Sequence, residues 1–241
     1  QANGQLDEAI ASLGEAVRLS KISAELHGVD RGITSRENLV ESHINLGNAF
    51  YAQGQLDAAV ASYQEAANLM KRCDELKKQI NSIENCNLKE NSQNLVLGDG
   101  DIDSPIMLIG EAPGIEEDKS SKTFKGEVGE LLNKMLLAIE IKRQNIYCSY
   151  AINFRPPEDR KPTSQEIKRY SVFLKEHISI INPKIIILMG SSAMEAVTGI
   201  NSKISSERGK WQETILKNKT YPVMISFNPS YLIRFPENKK Y

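Results

Sequence analysis

The sequence predicts an α/β domain, a three-layer sandwich around a central, mainly parallel four-stranded sheet, preceded by an all-α N-terminal segment. Two observations carry this reading. Beyond about residue 100, short and wholly apolar runs alternate with helical patterns, as expected of a parallel sheet flanked by helices. The first 70 residues instead read as helix throughout and contain a duplicated, alanine-rich segment. The predicted division is therefore 1–70 and 71–241.

In the helical part, GQLDEAIASLGEAVRL from Gly4 recurs as GQLDAAVASYQEAANL from Gly54. Small residues at Ala9, Ala16, Ala59 and Ala66 recur at helical spacing, which permits close helix packing. Ile44-Asn45-Leu46-Gly47-Asn48-Ala49-Phe50-Tyr51 precedes the second copy. Together these resemble the tetratricopeptide repeat, although the two copies lie 50 residues apart rather than the usual 34. The resemblance implies a groove for a protein partner.

A hydrophilic helix from about Asp74 to Glu84 is expected next, then an Asn-rich loop from Asn85 to Asn94. Pro105 to Ile109 reads as a strand buried on both faces, stopped by Gly110. Ile146 to Ile152, Ile185 to Met189 and Val223 to Ser226 have the same character. Between them, Val128 to Ile139, Gln165 to Ile181 and Ala193 to Thr198 carry helical patterns. Ligands bind at the carboxyl ends of such strands, so the loops after Ile109, Ile152, Met189 and Phe227 are the informative ones.

Composition sets outer bounds. With 40% hydrophobic and 25% charged residues the chain is ordinary globular material, and no apolar run approaches the roughly 20 residues of a membrane span. The N-terminus has no basic start followed by an apolar stretch, so a cytoplasmic location is expected and a membrane partner is not. The start at Gln1 predicts a fragment or a processed product, and a closing helix would be expected beyond Tyr241. Cys73, Cys86 and Cys148 form no C-x-x-C pair, so neither a disulfide framework nor a metal site is indicated. His27, His43 and His177 read as structural. The net charge of −1 hides an asymmetry: residues 1–118 hold 9 Lys+Arg against 20 Asp+Glu, and residues 119–241 hold 21 against 11. A basic half is what a phosphate-contacting surface needs, since each neutralised phosphate releases counterions.

Three of the four loops carry informative text. The first reads Gly110-Glu111-Ala112-Pro113-Gly114, then Glu117-Asp118, then Thr123-Phe124-Lys125-Gly126. The second reads Phe154-Arg155-Pro156-Pro157-Glu158-Asp159-Arg160-Lys161-Pro162, and the last Phe227-Asn228-Pro229-Ser230-Tyr231-Leu232-Ile233-Arg234. This ordered set resembles the iron–sulfur (family 4) uracil-DNA glycosylases over about 170 residues. Their signatures run GEAPG-x-x-ED, PF-x-G, RPP-x-NR-x-P and HPS-YLLR.

The resemblance implies a DNA-repair hydrolase that cuts the N-glycosidic bond of a flipped uracil, in single- or double-stranded DNA. It assigns Phe124 to stacking on the uracil, and Gly110, Ala112, Pro113 and Gly114 to a turn that approaches the nucleotide closely. Glu111 and Glu117 are expected to stabilise positive charge on the sugar or to position water, with Asn228 as the donor to the leaving base. Arg155, Arg160, Lys161, Arg208, Ser230, Tyr231 and Arg234 are the expected DNA contacts.

Four departures qualify the match. Cluster ligands are expected at Ile83, Cys86, Phe154 and Tyr170, of which only Cys86 is a cysteine, so no cluster and no cofactor is expected. Asn228 stands where the family has His, Tyr150 where it has the Asn that reads the uracil edge, and Asp159 where RPP-x-NR has Asn. An amide can donate the hydrogen bond of an imidazole but has no proton to transfer. These changes keep open a catalytically silent or altered-specificity DNA-binding module of the same fold, and an adaptor working through its helical front.

Overall fold

The computed structural model describes residues 47–48, 50–52, 54–101 and 104–240, and the chain divides into two compact units, 1–78 and 79–241. The first repeat copy, from Gly4 to Leu19, lies outside the described residues.

In the first unit the second repeat copy forms the start of a long helix, α1 (Leu56–Asn81). Ala59, Val60 and Tyr63 are buried together with Phe50 against them, and Tyr63 donates a hydrogen bond to Asn48 Oδ1 at 2.7 Å. Gly47 faces the Tyr63 ring, where a side chain would overlap it. Small and aromatic positions of the repeat are thus paired across two helical stretches. No Pro or Gly interrupts Leu56 to Asn81, so the helix expected at Asp74 is continuous with the repeat helix. The expected boundary after residue 70 falls inside it.

The second unit is built on a six-stranded sheet in the order β1-β3-β2-β4-β6-β5. Its centre is β3 (Tyr147–Tyr150), β2 (Ile106–Gly110), β4 (Ile185–Met189) and β6 (Lys219–Ser226), all parallel, as the apolar runs predict. The expectation of four strands is extended by two antiparallel edges, β1 (Gly98–Gly100) and β5 (Trp211–Leu216). Neither has a strand's texture. β1 is Gly-Asp-Gly, of poor β propensity, and β5 is a half-exposed strand joined to β6 by Lys217-Asn218. Both turn residues have positive φ, 47° and 65°, as a two-residue hairpin of matching twist requires.

Helices cover both faces. Alternate strand residues Leu108, Cys148 and Tyr150 pack with Leu132 and Leu136 of α4 (Gly126–Leu137). On the opposite face, Tyr147 and Ser149 meet His177 of α5 (Ser164–Ile181). Ser149 gives its proton to the Leu97 carbonyl at 2.6 Å, so Oγ accepts from His177 Nδ1, leaving Nε2 to accept from Tyr147 Oη at 2.9 Å. His177 is therefore structural, as expected. Three shorter helices follow strand ends or precede them: α3 (Ile115–Ser120), α6 (Ser191–Thr198) and α8 (Pro229–Arg234). Two single turns, α2 (Asn87–Glu90) and α7 (Ile204–Glu207), complete the set, the first inside the stretch expected to be loop.

The start of α5 is a capping box. Thr163 Oγ1 accepts from the Glu166 amide at 3.3 Å, and Glu166 accepts from the Thr163 amide at 2.8 Å. Arg160 adds a two-pronged contact to the Glu166 carboxylate at 2.9 and 2.7 Å. That guanidinium, ahead of the capping amide, holds the Glu166 carboxyl down at about 2. Because the folded state depresses the value, the stabilisation is complete above the unfolded pKa near 4.5 and is lost as pH falls through about 2. Glu166→Gln is accordingly expected to lower stability at neutral pH and to flatten its pH dependence between about 4.5 and 2. Urea unfolding at a series of pH values reads this directly, and parallel curves for the two proteins would exclude it.

Candidate functional site

β2 and β4 are neighbours, and the chain leaves β2 towards β3 on one side but leaves β4 towards β5 and β6 on the other, which opens a crevice at the carboxyl ends of β2 and β4. A cleft of 560 Å³ lies there, lined by the loops after β2, β3, β4 and β6.

The loop after β2 begins at Gly110, where an added Cβ would lie 2.7 Å from the Tyr150 ring and 2.9 Å from Phe124. Only glycine leaves room for that ring pair, whose centroids are 5.1 Å apart at 38°. Phe124 itself has φ 49°, a left-handed conformation that costs an aromatic residue of order 1–3 kcal/mol. Three side chains hold it there through successive amides. Thr123 N–H donates to the Asp99 carboxylate, Phe124 N–H to Tyr150 Oη at 2.8 Å, and Lys125 N–H to Glu117 Oε1 at 2.8 Å. Arg143 backs Asp99 at 2.5 Å and donates to Thr123 Oγ1 at 2.8 Å.

Glu117, only 6% exposed, also accepts from the Gly114 amide at 3.0 Å through Oε2. Its carboxylate thereby ties the GEAPG loop to the Phe124 turn. Asp118 ties the same helix to the chain before β1, accepting from the amides of Gln93 and Asn94. Burial, then the nearby Glu117 charge, pushes the Tyr150 phenol well above its ordinary range, so it stays neutral.

Glu111 crosses the crevice. Its Oε1 accepts from Ser192 N–H at 3.0 Å and Ser191 Oγ at 3.2 Å, at the start of α6. Gly190, at φ 110°, makes this approach feasible, since a side chain there would overlap the Glu111 carboxyl. On the other side Asn228 caps α8. Its Oδ1 accepts from Ser230 N–H at 2.9 Å and its Nδ2 donates to Met189 O at 3.2 Å. The backbone N–H of Ser230 needs an acceptor, which sets the amide's orientation and leaves Nδ2 a second proton.

Of the residues singled out from sequence, Glu111, Ala112, Pro113, Gly114, Glu117, Phe124 and Tyr150 line one side of the cleft. Arg160, Lys161, Asn228, Ser230, Tyr231 and Arg234 line the remainder. Gly110 lies beneath the ring pair, while Arg155 and Arg208 are not among the lining residues. Arg155 is paired two-pronged with Asp159 at 2.6 and 3.0 Å, and Arg208 covers the Phe227 ring at 4.6 Å. The sequence marks neither Asp99 nor Arg143 by any motif, and it shows Thr123 in the first loop without a role. Sequence reasoning also passed over Gly190-Ser191, although the end of the Met189 strand was a flagged position, and Phe227, which it quoted without a role.

The Uracil DNA glycosylase superfamily model matches residues 97–241, and a Tetratricopeptide repeat model matches residues 40–73. The type-4 uracil-DNA glycosylase of Thermotoga maritima is 34% identical over 165 residues, covering 68% of this chain and 84% of the relative. That of Archaeoglobus fulgidus is 29% identical over 168 residues, again 68% and 84%. That of Sulfurisphaera tokodaii is 33% identical over 172 residues, 69% and 78%. The chain belongs to the uracil-DNA glycosylase superfamily.

Membership in the uracil-DNA glycosylase superfamily corrects one expectation. The type-4 relatives form the iron–sulfur class, so a 4Fe–4S cluster is the family's group, and the expectation of a chain without a cofactor is overturned. A tally of cysteines at aligned positions reads ligand identity and not what a fold retains. The residues at those positions do not by themselves match the group. Cys86 Sγ lies 3.2 Å from Tyr170 Oη, Tyr170 stands edge-on to Phe154 at 6.3 Å, and Ile83 is half-buried. A cluster of this kind takes four thiolates, and among the described residues no three His, Cys, Asp or Glu side chains gather as a metal site.

Tyr150→Phe is expected to destabilise this uracil-DNA glycosylase domain by about 1–3 kcal/mol, because it leaves the buried Phe124 N–H without its acceptor. Denaturant unfolding measures it. A shift of under about 0.5 kcal/mol would mean the turn is held without the phenol.

Proposed function

We propose that this chain hydrolyses the N-glycosidic bond of a uracil flipped out of DNA, leaving an abasic site. The observation that carries the proposal is the switch-point cleft, in which the Phe124–Tyr150 pair, Glu111 and Asn228 converge from three different loops. A base taken out of the stack needs an aromatic wall and a polar edge in one pocket, and the cleft supplies both.

In this reading the uracil ring lies on Phe124. The C1′–N1 bond breaks with its electron pair passing to the base, while a water oxygen bonds C1′ and its proton leaves to solvent. The second Nδ2 proton of Asn228 donates to the base carbonyl as negative charge builds there, and Glu111 steadies the positive sugar or orients the water. Glu117 contributes by bracing the Gly114 and Lys125 amides. Tyr150, in place of an amide, narrows the pocket and offers one hydroxyl where the family signature offers two groups.

Lys161, Arg234, Arg208 and Ser230 are the proposed backbone contacts, with Arg155 and Arg160 joining as they exchange Asp159 and Glu166 for phosphates. The tetratricopeptide match points to a protein partner for the helical front. Cys73, Cys86 and Cys148 are buried thiols outside any disulfide, which suits work in the reducing cytoplasm. Among the described residues no helix is long and apolar enough to cross a membrane. One observation favours the second reading, a silent DNA-binding module: both heavy atoms of the Asn228 amide already have backbone partners.

Cleavage of a labelled single-stranded oligonucleotide with one uracil, developed with alkali, decides between them. Wild type is expected to cut, Glu111→Gln to be slowed roughly 100-fold or more, and Asn228→His to be faster, since imidazole can carry charge. Intact DNA binding with no cutting by wild type at high enzyme would establish the silent module.

The Asp159 clamp yields a separate expectation. Asp159→Asn frees Arg155 for a phosphate, so affinity for single-stranded DNA rises and the plot of log K against log salt steepens by about 0.7. An unchanged slope in a fluorescence-anisotropy titration would mean that Arg155 never reaches the backbone.

A further inference from the structure

Three aromatic residues at four-residue spacing form a ladder, with Tyr231 in α8, Phe227 just before the helix and Phe235 just after it. Phe227 and Tyr231 have centroids 4.7 Å apart at 35°, and Tyr231 and Phe235 have centroids 4.8 Å apart at 37°. The inner rungs, Phe227 and Tyr231, line the cleft, and Arg208 covers Phe227 at 4.6 Å. The outer rung, Phe235, is 44% exposed. Arg234 stands beside it in the chain and lines the cleft as well. A row of rings that starts in a pocket, ends at the surface and carries cations alongside has the composition of a nucleobase platform.

We propose that this ladder stacks the unpaired base adjoining the one held in the cleft, so that single-stranded DNA is favoured over duplex. The inference rests on the reading above that DNA is the substrate. A base in duplex is already stacked and paired, and gains little from a protein ring. An unpaired base has a free face, and each such stack is sequence-tolerant because every base offers a π surface. Arg208 and Arg234 supply charge for the phosphates that flank it, which a purely apolar peptide groove would not provide.

The test uses the full chain and oligonucleotides carrying 2-aminopurine, whose fluorescence falls on stacking, next to a thymine or a uracil. Binding of the thymine strand is read by anisotropy, apart from any cutting. Wild type is expected to quench the probe in single strands. Phe235→Ala, at an exposed position, is expected to lose the quenching and to weaken single-strand binding about tenfold, with a smaller effect on duplex. Phe235→Trp should restore both, and Phe235→Leu should not.

Equal quenching and an unchanged single-strand to duplex ratio in Phe235→Ala would overturn the platform while leaving the proposed activity untouched. Quenching that depends on Phe235 in a protein that never releases uracil would support the platform and sink the proposed activity. No binding of either DNA by wild type would overturn both.

Discussion

A strained turn organises this molecule. Phe124 is held at positive φ, and the conformation persists because the amides of Thr123, Phe124 and Lys125 are each claimed by a side chain from a different part of the fold. Asp99 comes from an edge strand, Tyr150 from the end of β3 and Glu117 from α3. Local strain of this kind survives only where the surroundings over-determine it. Through Glu117 the same turn is tied to Gly114, and through Tyr150 to the close approach at Gly110. Loop geometry at the cleft is thereby made a property of the core.

The parallel sheet supplies the other half of the site. Connections leaving the adjacent strands β2 and β4 in opposite directions open the crevice, and Glu111 spans it to reach the start of α6. A carboxylate gains from the amide and dipole at such a helix start, and Gly190 leaves space for it. Asn228 enters from β6 as a helix cap with one N–H to spare. Polar groups from three strand ends converge on one volume because parallel strands present all their carboxyl ends on one side of the sheet.

Charge is distributed less simply than the count of basic residues implies. Arg155 and Arg160 are each paired two-pronged with a carboxylate, Arg143 is spent on Asp99, and Arg208 lies over a ring. The partly exposed Arg155–Asp159 pair is worth little in stability, whereas Arg160 holds a Glu166 carboxyl that is mostly covered and depressed by that contact. The count of basic residues thus overstates the charge that the basic half leaves unpaired.

The four parallel strands, the main helices and three of the cleft loops were legible in the amino-acid sequence, because buried parallel strands read as continuous apolar runs and the loop motifs are local in the chain. Family membership was legible for the same reason. The edge strands were not, since Gly-Asp-Gly and a half-polar run become strands only when a neighbour supplies the ladder of hydrogen bonds. Tyr150 illustrates the limit at the site: sequence position marks it as a lost base reader, and only the fold shows its hydroxyl accepting from Phe124. Asp99 and Arg143 carry no motif at all and acquire meaning when β1 pairs with β3. The cysteine tally at the cluster positions predicted a chain without a cofactor, and kinship with the type-4 class overturned it. Sequence alone determined the four central strands, the main helices and the family to which the loop motifs belong. Tertiary structure decided which polar groups are already engaged, because a hydrogen bond between residues dozens of positions apart leaves no periodic or local trace.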